Sequence, residues 1–126
     1  MSFSNTFETT VLKWTFTTDS VTRPTAWSIG LFTSDPTDAG TGTEVSGNGY
    51  TREAVSFTVT GDTATNSAAV EFDAATASWG TITHAGIFDA STGGNLVAHS
   101  ALSTSKTIGT GDILRVPAGD LDITLD

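Results

Sequence analysis

The chain contains no cysteine, so neither a disulfide scaffold nor thiolate chemistry is open to it. Five Lys and Arg residues stand against fourteen Asp and Glu, a formal net charge of -9. That leaves no basic stripe to release counterions from a phosphate backbone, and nucleic acid is disfavoured as a partner. No run approaches the ~18 apolar residues that a membrane span needs, and Met1 to Glu8 lacks the basic start and apolar stretch of a secretory signal. The expectation is a soluble protein without a membrane partner. Lysine is nearly absent, and the single methionine is Met1, so long flexible side chains are scarce on the surface.

What is present is one small acidic unit of 126 residues, a length that bounds the reading to a single core. Thr and Ser fill roughly 30% of it, and thirteen glycines punctuate it where average usage gives about nine. β-Branched Thr suits pleated, half-exposed surfaces. The expected architecture is mainly β: an antiparallel sandwich or jelly-roll-like barrel over residues 25–126, preceded by a helical segment within residues 1–18, the whole 1–126 forming one domain.

Phe7, Val11, Leu12 and Trp14 recur close to the helical period, and Asn5 followed by Glu8 has the form of a capping box, which predicts a helix over residues 5–16. Its Thr content is unfavourable for an isolated helix, so it should dock on something. Beyond Asp19, short β-like runs are separated by Gly, Asp, Asn and Pro. They predict strands at Ala26–Thr33, Tyr50–Val59, Ala68–Phe72, Thr81–Phe88, Leu96–Ala101, Ile113–Val116 and Leu121–Leu125. Val55, Phe57 and Val59 alternate with Ser56 and Thr58, and Leu121, Ile123 and Leu125 repeat the pattern. These faces are expected to close over Trp27, Ile29, Leu31, Ile82, Ile87 and Phe88. The connection from Ser34 to Gly49 reads as a polar surface loop, too polar to be buried and of a length commonly functional or mobile. Gly61 to Asn66 and Ala90 to Asn95 read as turns.

Groups that carry chemistry are few. His84 and His99 are the only side chains that titrate unperturbed near neutral pH, and both fall in predicted strands. Ser100, His99 and Asp89 make a triad on paper, but no nucleophile elbow accompanies them. No catalytic residue is assigned, and a polymer hydrolase would require a carboxylate pair that no spacing here specifies. Asp35 and Asp38, with Glu44, could offer oxygens to a hard cation, yet the run lacks the alternation of an EF-hand loop, and Asp-Pro and Asp-Ala-Gly are turn formers. Gly40 to Gly42 and Gly47 to Gly49 are not set between a strand and a helix, and no Lys follows, so they do not cradle phosphate. No metal and no cofactor are expected. Trp14 and Trp79 are candidates for a partner-binding surface, whereas Trp27 reads as core.

Two long runs carry a resemblance. Trp27-Ser28-Ile29-Gly30-Leu31-Phe32-Thr33-Ser34-Asp35-Pro36, continuing into Gly42-Thr43-Glu44-Val45-Ser46-Gly47-Asn48-Gly49-Tyr50-Thr51-Arg52, resembles a family of small tailed-phage structural proteins. Ser78 to Ala90 and Gly111 to Gly119 resemble it as well, so the likeness spans nearly the whole chain. Its members are described as tail-fibre or virion structural proteins, and similar small β proteins act as cement on capsids. The resemblance implies a virion component with no catalytic residues to transfer. In structural terms, Gly30 and Gly86 allow close packing or a bulge, and Gly47-Asn48-Gly49 supplies positive φ ahead of Tyr50.

The expected function is therefore a capsid decoration or cement protein in the virion, bound between subunits of the major capsid protein or to other virion proteins. Such binding stabilises an assembled lattice by mass action, and a homotrimer is the expected form. Phe3, Phe7, Val11 and Trp14 are the expected partner-facing residues, together with Trp79, Arg52 and Arg115, whose guanidinium groups suit bridging ion pairs. The alternative is a tail-fibre or tail-associated receptor-binding module using the Ser34 to Gly49 loop, although a fibre shaft or repeat is missing from the sequence.

Overall fold

Antiparallel strands dominate the computed structural model, which describes residues 1–125; strand accounts for 39% and helix for 10%. In chain order the elements are β1 (Ser2–Phe3), α1 (Asn5–Phe16), β2 (Trp27–Phe32), β3 (Glu53–Val55), β4 (Phe57–Thr60), β5 (Thr63–Asn66), β6 (Val70–Glu71), β7 (Gly80–Phe88), β8 (Leu96–Ile108), β9 (Arg115–Val116) and β10 (Asp122–Thr124). A five-stranded sheet has the order β1-β8-β7-β2-β3, a three-stranded sheet the order β10-β5-β4, and β6 pairs with β9. The expected helix is therefore present and the fold is mainly β, as the strand-and-turn spacing indicated. Asp126, the last residue of the expected domain, lies outside the described residues.

Strand β2, paired on both edges by β7 and β3, shows why the sheets pack as they do. On one face, Ile29 pairs across from Ile87 and Leu31 from Ala85; all four are buried and join Val55, Val70, Phe72, Ile82, Val97 and Ile108 in one hydrophobic cluster. Phe57, Val116 and Ile123, from the two smaller sheets, pack against that cluster. The opposite face of β2 carries Ser28, Gly30 and Phe32, also buried, so this strand is covered on both sides. Trp27, expected in the core, lies half-buried at its margin.

Gly30 faces Gly86 across β2 and β7, and both are glycine because aromatic rings occupy the space of a side chain. A Cβ on Gly30 would lie 2.9 Å from Phe88 Cε2, and one on Gly86 would lie 2.9 Å from Phe32 Cε2. The rings of Phe32 and Phe88 stack at 5.9 Å. Close packing, not a bulge, is the use made of this glycine pair. The Gly47-Asn48-Gly49 turn adopts positive φ throughout, at 72°, 55° and 80°, and so turns the chain toward Tyr50 as expected.

Several elements differ from the sequence expectation, each for a local reason. The helix is capped by Ser4 rather than Asn5: its hydroxyl accepts from the Phe7 amide at 3.2 Å. Ser4 is fixed there because its own amide donates to Val97 O and its hydroxyl to Leu96 O, bonds that follow from the pairing of β1 with β8. The run Tyr50–Val59 divides at Ser56, β3 joining β2 and β4 joining β5, so Val59 does not share the buried face of Val55 but is exposed. The turn expected over 61–66 is confined to Gly61 and Asp62, and Thr63–Asn66 is a strand whose small polar residues give no apolar alternation. Strand β8 runs seven residues past Ala101; Ile82 pairs with Lys106 but His84 with Ala101, so Leu102 to Ser105 bulge opposite Thr83.

Candidate functional site

The outer face of the large sheet is roofed by the Ser34–Gly49 segment, which is a mostly exposed surface loop as expected and is pinned to the sheet at a few points. Val45 and Pro36 in it are buried, the Val45 amide donates to Leu31 O at 2.9 Å, and Thr33 N donates to Thr43 O at 3.0 Å. Register places Gly30, Gly86 and His99 in one row of that outer face and Phe32, His84 and Ala101 in the next. The segment is polar, yet it can cover the sheet because each of its three carboxylates finds a partner there.

Glu44 and Arg52 form the strongest of these contacts. Arg52 Nε and Nη2 donate to the two oxygens of Glu44 at 2.8 and 2.9 Å, a bidentate pair. Nη1 donates to Ala90 O at 3.1 Å and Gly93 O at 2.7 Å, and the guanidinium lies 3.4 Å over the Phe88 ring. Tyr50 completes the group: its hydroxyl accepts from the Leu31 amide at 2.9 Å and donates to Glu44 Oε1 at 2.8 Å. Burial pushes the Tyr50 phenol far above its ordinary range, and the neighbouring Glu44 carboxylate raises it further. Only 9% of the Arg52 side chain is exposed, so this residue, expected at a partner interface, is a clasp between the roof and the turn after β7. The sequence signal for it was the Glu44…Arg52 spacing around a positive-φ turn, which brings the two back together.

Asp35 and Asp38 lie over the histidines. His99 Nε2 and Asp38 Oδ1 are 2.7 Å apart. The other ring nitrogen of His99 and the Nε2 of His84 are 3.9 and 3.8 Å from Asp35 Oδ1. His84 Nδ1 meets Thr83 Oγ1 at 2.8 Å, and Asp35 Oδ1 also accepts from the Thr37 amide at 2.8 Å, the turn-forming role its sequence suggests. The paper triad is not assembled. Asp89 accepts from the Asn95 backbone and side chain, and Ser100 donates to its neighbour's carbonyl. Among the described residues no three His, Asp or Glu side chains are gathered to hold a metal ion, and Glu44 is taken by Arg52.

The remaining interface candidates divide by position. Phe3 and Phe7 meet edge to face at 5.1 Å and are half-buried against the core where α1 begins. Val11 is half-buried, while Trp14 is 75% exposed. Trp79 is core, not surface: it is 5% exposed, packs against Tyr50 and Phe72, and donates its indole N–H to Asn48 O at 2.9 Å. Arg115 is mostly exposed, with Nε 4.0 Å from Glu71 Oε2 on the paired strand. Helix α1 has no buried residue. A cavity of about 400 Å³ opens between it and the following chain, lined by Phe7, Val11, Trp14, Val21 and Pro24 among others.

The site is thus a roofed sheet with an exposed apolar arm. No curated protein matches the chain. A family model described as Podophage GP4 fiber I protein gp80 matches residues 2–124. With nearly all of its 126 residues covered, the chain belongs to this family of tailed-phage virion structural proteins.

Proposed function

We propose that the protein is a non-catalytic structural subunit of the phage fibre, joined to a neighbouring virion protein through its N-terminal arm. The observation that carries this reading is α1 itself. A helix of twelve residues with none buried gains little from its own chain, yet it is apolar enough to require cover. The groove between α1 and Val21–Pro24 has the size and apolar lining to accept large side chains of a partner. The fibre description of the family favours the fibre over capsid decoration, and the roofed sheet supplies a stiff body that keeps the arm in a fixed direction.

Copy number in purified particles tests the placement. Quantitative mass spectrometry against the major capsid protein is expected to give a few copies per hundred. A ratio near one would mean decoration of the shell, and absence from the particle would sink both readings. A Val11→Asp variant, changed in the groove wall, is expected to fold normally and fail to enter particles.

A further inference from the structure

We propose that the exposed side of α1 is a self-association seam, with copies of this chain packing their helices in parallel. The groove considered above lies on the side of Phe7, Val11 and Trp14. At 100° per residue, Leu12 and Phe16 point the other way, and they are 58% and 77% exposed. Together with Asn5 and Thr9, also exposed, they recur at spacings of four, three and four, the d-a-d-a stripe of a heptad. The inference concerns this chain alone and does not depend on where in the virion it sits.

Two features fit a second copy better than an unrelated partner. Glu8 and Lys13 are the only charged residues of the helix, and among the described residues neither has an ion-pair partner within its own chain. With Leu12 at d and Phe16 at a, Glu8 falls at g and Lys13 at e, five residues on. In a parallel coil the g residue of one helix reaches the e residue of the next copy, so every Glu8 meets a Lys13 around a closed ring. An antiparallel pair would bring like charges together. The helix therefore carries both halves of its own complement.

The one hydroxyl on the stripe is already satisfied: Thr9 Oγ1 donates to Asn5 O at 3.0 Å, which turns the Thr9 methyl outward. Asn5 at the first d position is the kind of polar residue that fixes register at some cost in affinity. At about 18 Å the helix is too short to form a stable coil as a peptide. Here it is nucleated by the Ser4 cap and the β1–β8 pairing, so only association remains to be driven.

Sedimentation velocity on the full-length protein, from micromolar to millimolar, is the test. A concentration-dependent dimer or trimer is expected, dissociated by Leu12→Glu or Phe16→Glu, both at exposed positions where circular dichroism should show an unchanged fold. Glu8→Lys and Lys13→Glu should each weaken association roughly fivefold, and the doubly reversed protein should regain it. A monomer at millimolar concentration overturns the proposal. So does an oligomer indifferent to Leu12 and Phe16, or a double reversal no better than the single ones.

Discussion

Replacing Arg52 by Ala removes five interactions at once: two bonds to Glu44, two to the carbonyls of Ala90 and Gly93, and the cover over Phe88. Breaking a buried, hydrogen-bonded ion pair from one side costs about 3–5 kcal/mol because the remaining charge is left uncompensated. The Glu44 side chain is 25% exposed, so water relieves part of that penalty, and the lower end, about 3 kcal/mol, is the expected loss. For a domain of this size that corresponds to a fall in Tm of about 10 °C, a large share of a total stability of about 5–15 kcal/mol. Arg52→Lys keeps the charge but not the fork, and about 2 kcal/mol should be lost. Urea titration followed by tryptophan fluorescence reads the effect, since Trp79 is buried beside Tyr50. A cycle with Glu44→Gln should return a coupling of at least about 1.5 kcal/mol, little changed by added salt because the pair is shielded. Arg52→Ala within about 1 kcal/mol of the parent, or a coupling near zero, would refute the assignment of the clasp.

Tyr50→Phe should cost about 1–3 kcal/mol by stranding the Leu31 amide, measured in the same titrations. The folded phenol is raised above its unfolded value, so its contribution is complete below pH ~10 and is lost as pH rises beyond that; the parent should weaken there and the Phe variant should show a shallower loss. Asn66 is buried and bonds Ala68 O, Pro117 O and the Leu121 amide through its side chain. Asn66→Ala should lose about 3 kcal/mol and speed hydrogen exchange at Leu121; unchanged exchange would count against the staple. Gly86→Ala places a Cβ 2.7 Å from Leu96 Cδ1 and 2.9 Å from Phe32. It should destabilise by about 1–3 kcal/mol, and a neutral result in thermal melts would show that the rings can move aside.

The parts legible in the sequence are those with strong period or turn chemistry. Ile29, Leu31, Ile82 and Ile87 announced the core face, the spacing of Phe7, Val11 and Trp14 announced the helix, and Gly47-Asn48-Gly49 announced its turn. Strand β5 was hidden because Thr63-Ala64-Thr65-Asn66 is held by its neighbours β4 and β10 and by the buried Asn66, not by an apolar face of its own. The extension of β8 through Ser103, Thr104 and Ser105 was hidden for the same reason. The Ser34–Gly49 segment was legible as a surface loop, but its attachment to the sheet was not, because only Pro36 and Val45 in it are buried. Asp35, Asp38 and Glu44 are tolerated against the sheet because each meets a partner there: His84 and His99 lie far along the chain and arrive only through the fold, whereas Arg52 is returned to Glu44 by the Gly47-Asn48-Gly49 turn. Likewise Trp79 looked like a surface anchor until Asn48 supplied its hydrogen-bond partner.

The cap of α1 also bears on the order in which the molecule assembles. Ser4 is held by Leu96 and Val97, and the Asn5 amide donates to Asp38 O at 2.9 Å, while Asp38 is itself fixed on His99. The helix precedes β2 to β10 in the chain, yet its starting point is built from residues more than ninety positions later. Closure of so long a loop is entropically slow, so the arm should take its final direction after β7 and β8 have paired. Pulse-labelled hydrogen exchange should then protect the α1 amides later than those of β2 and β7. Until then the apolar residues of the arm have no fixed direction, and the surface proposed to join this protein to its neighbours is completed by the same step that completes the sheet.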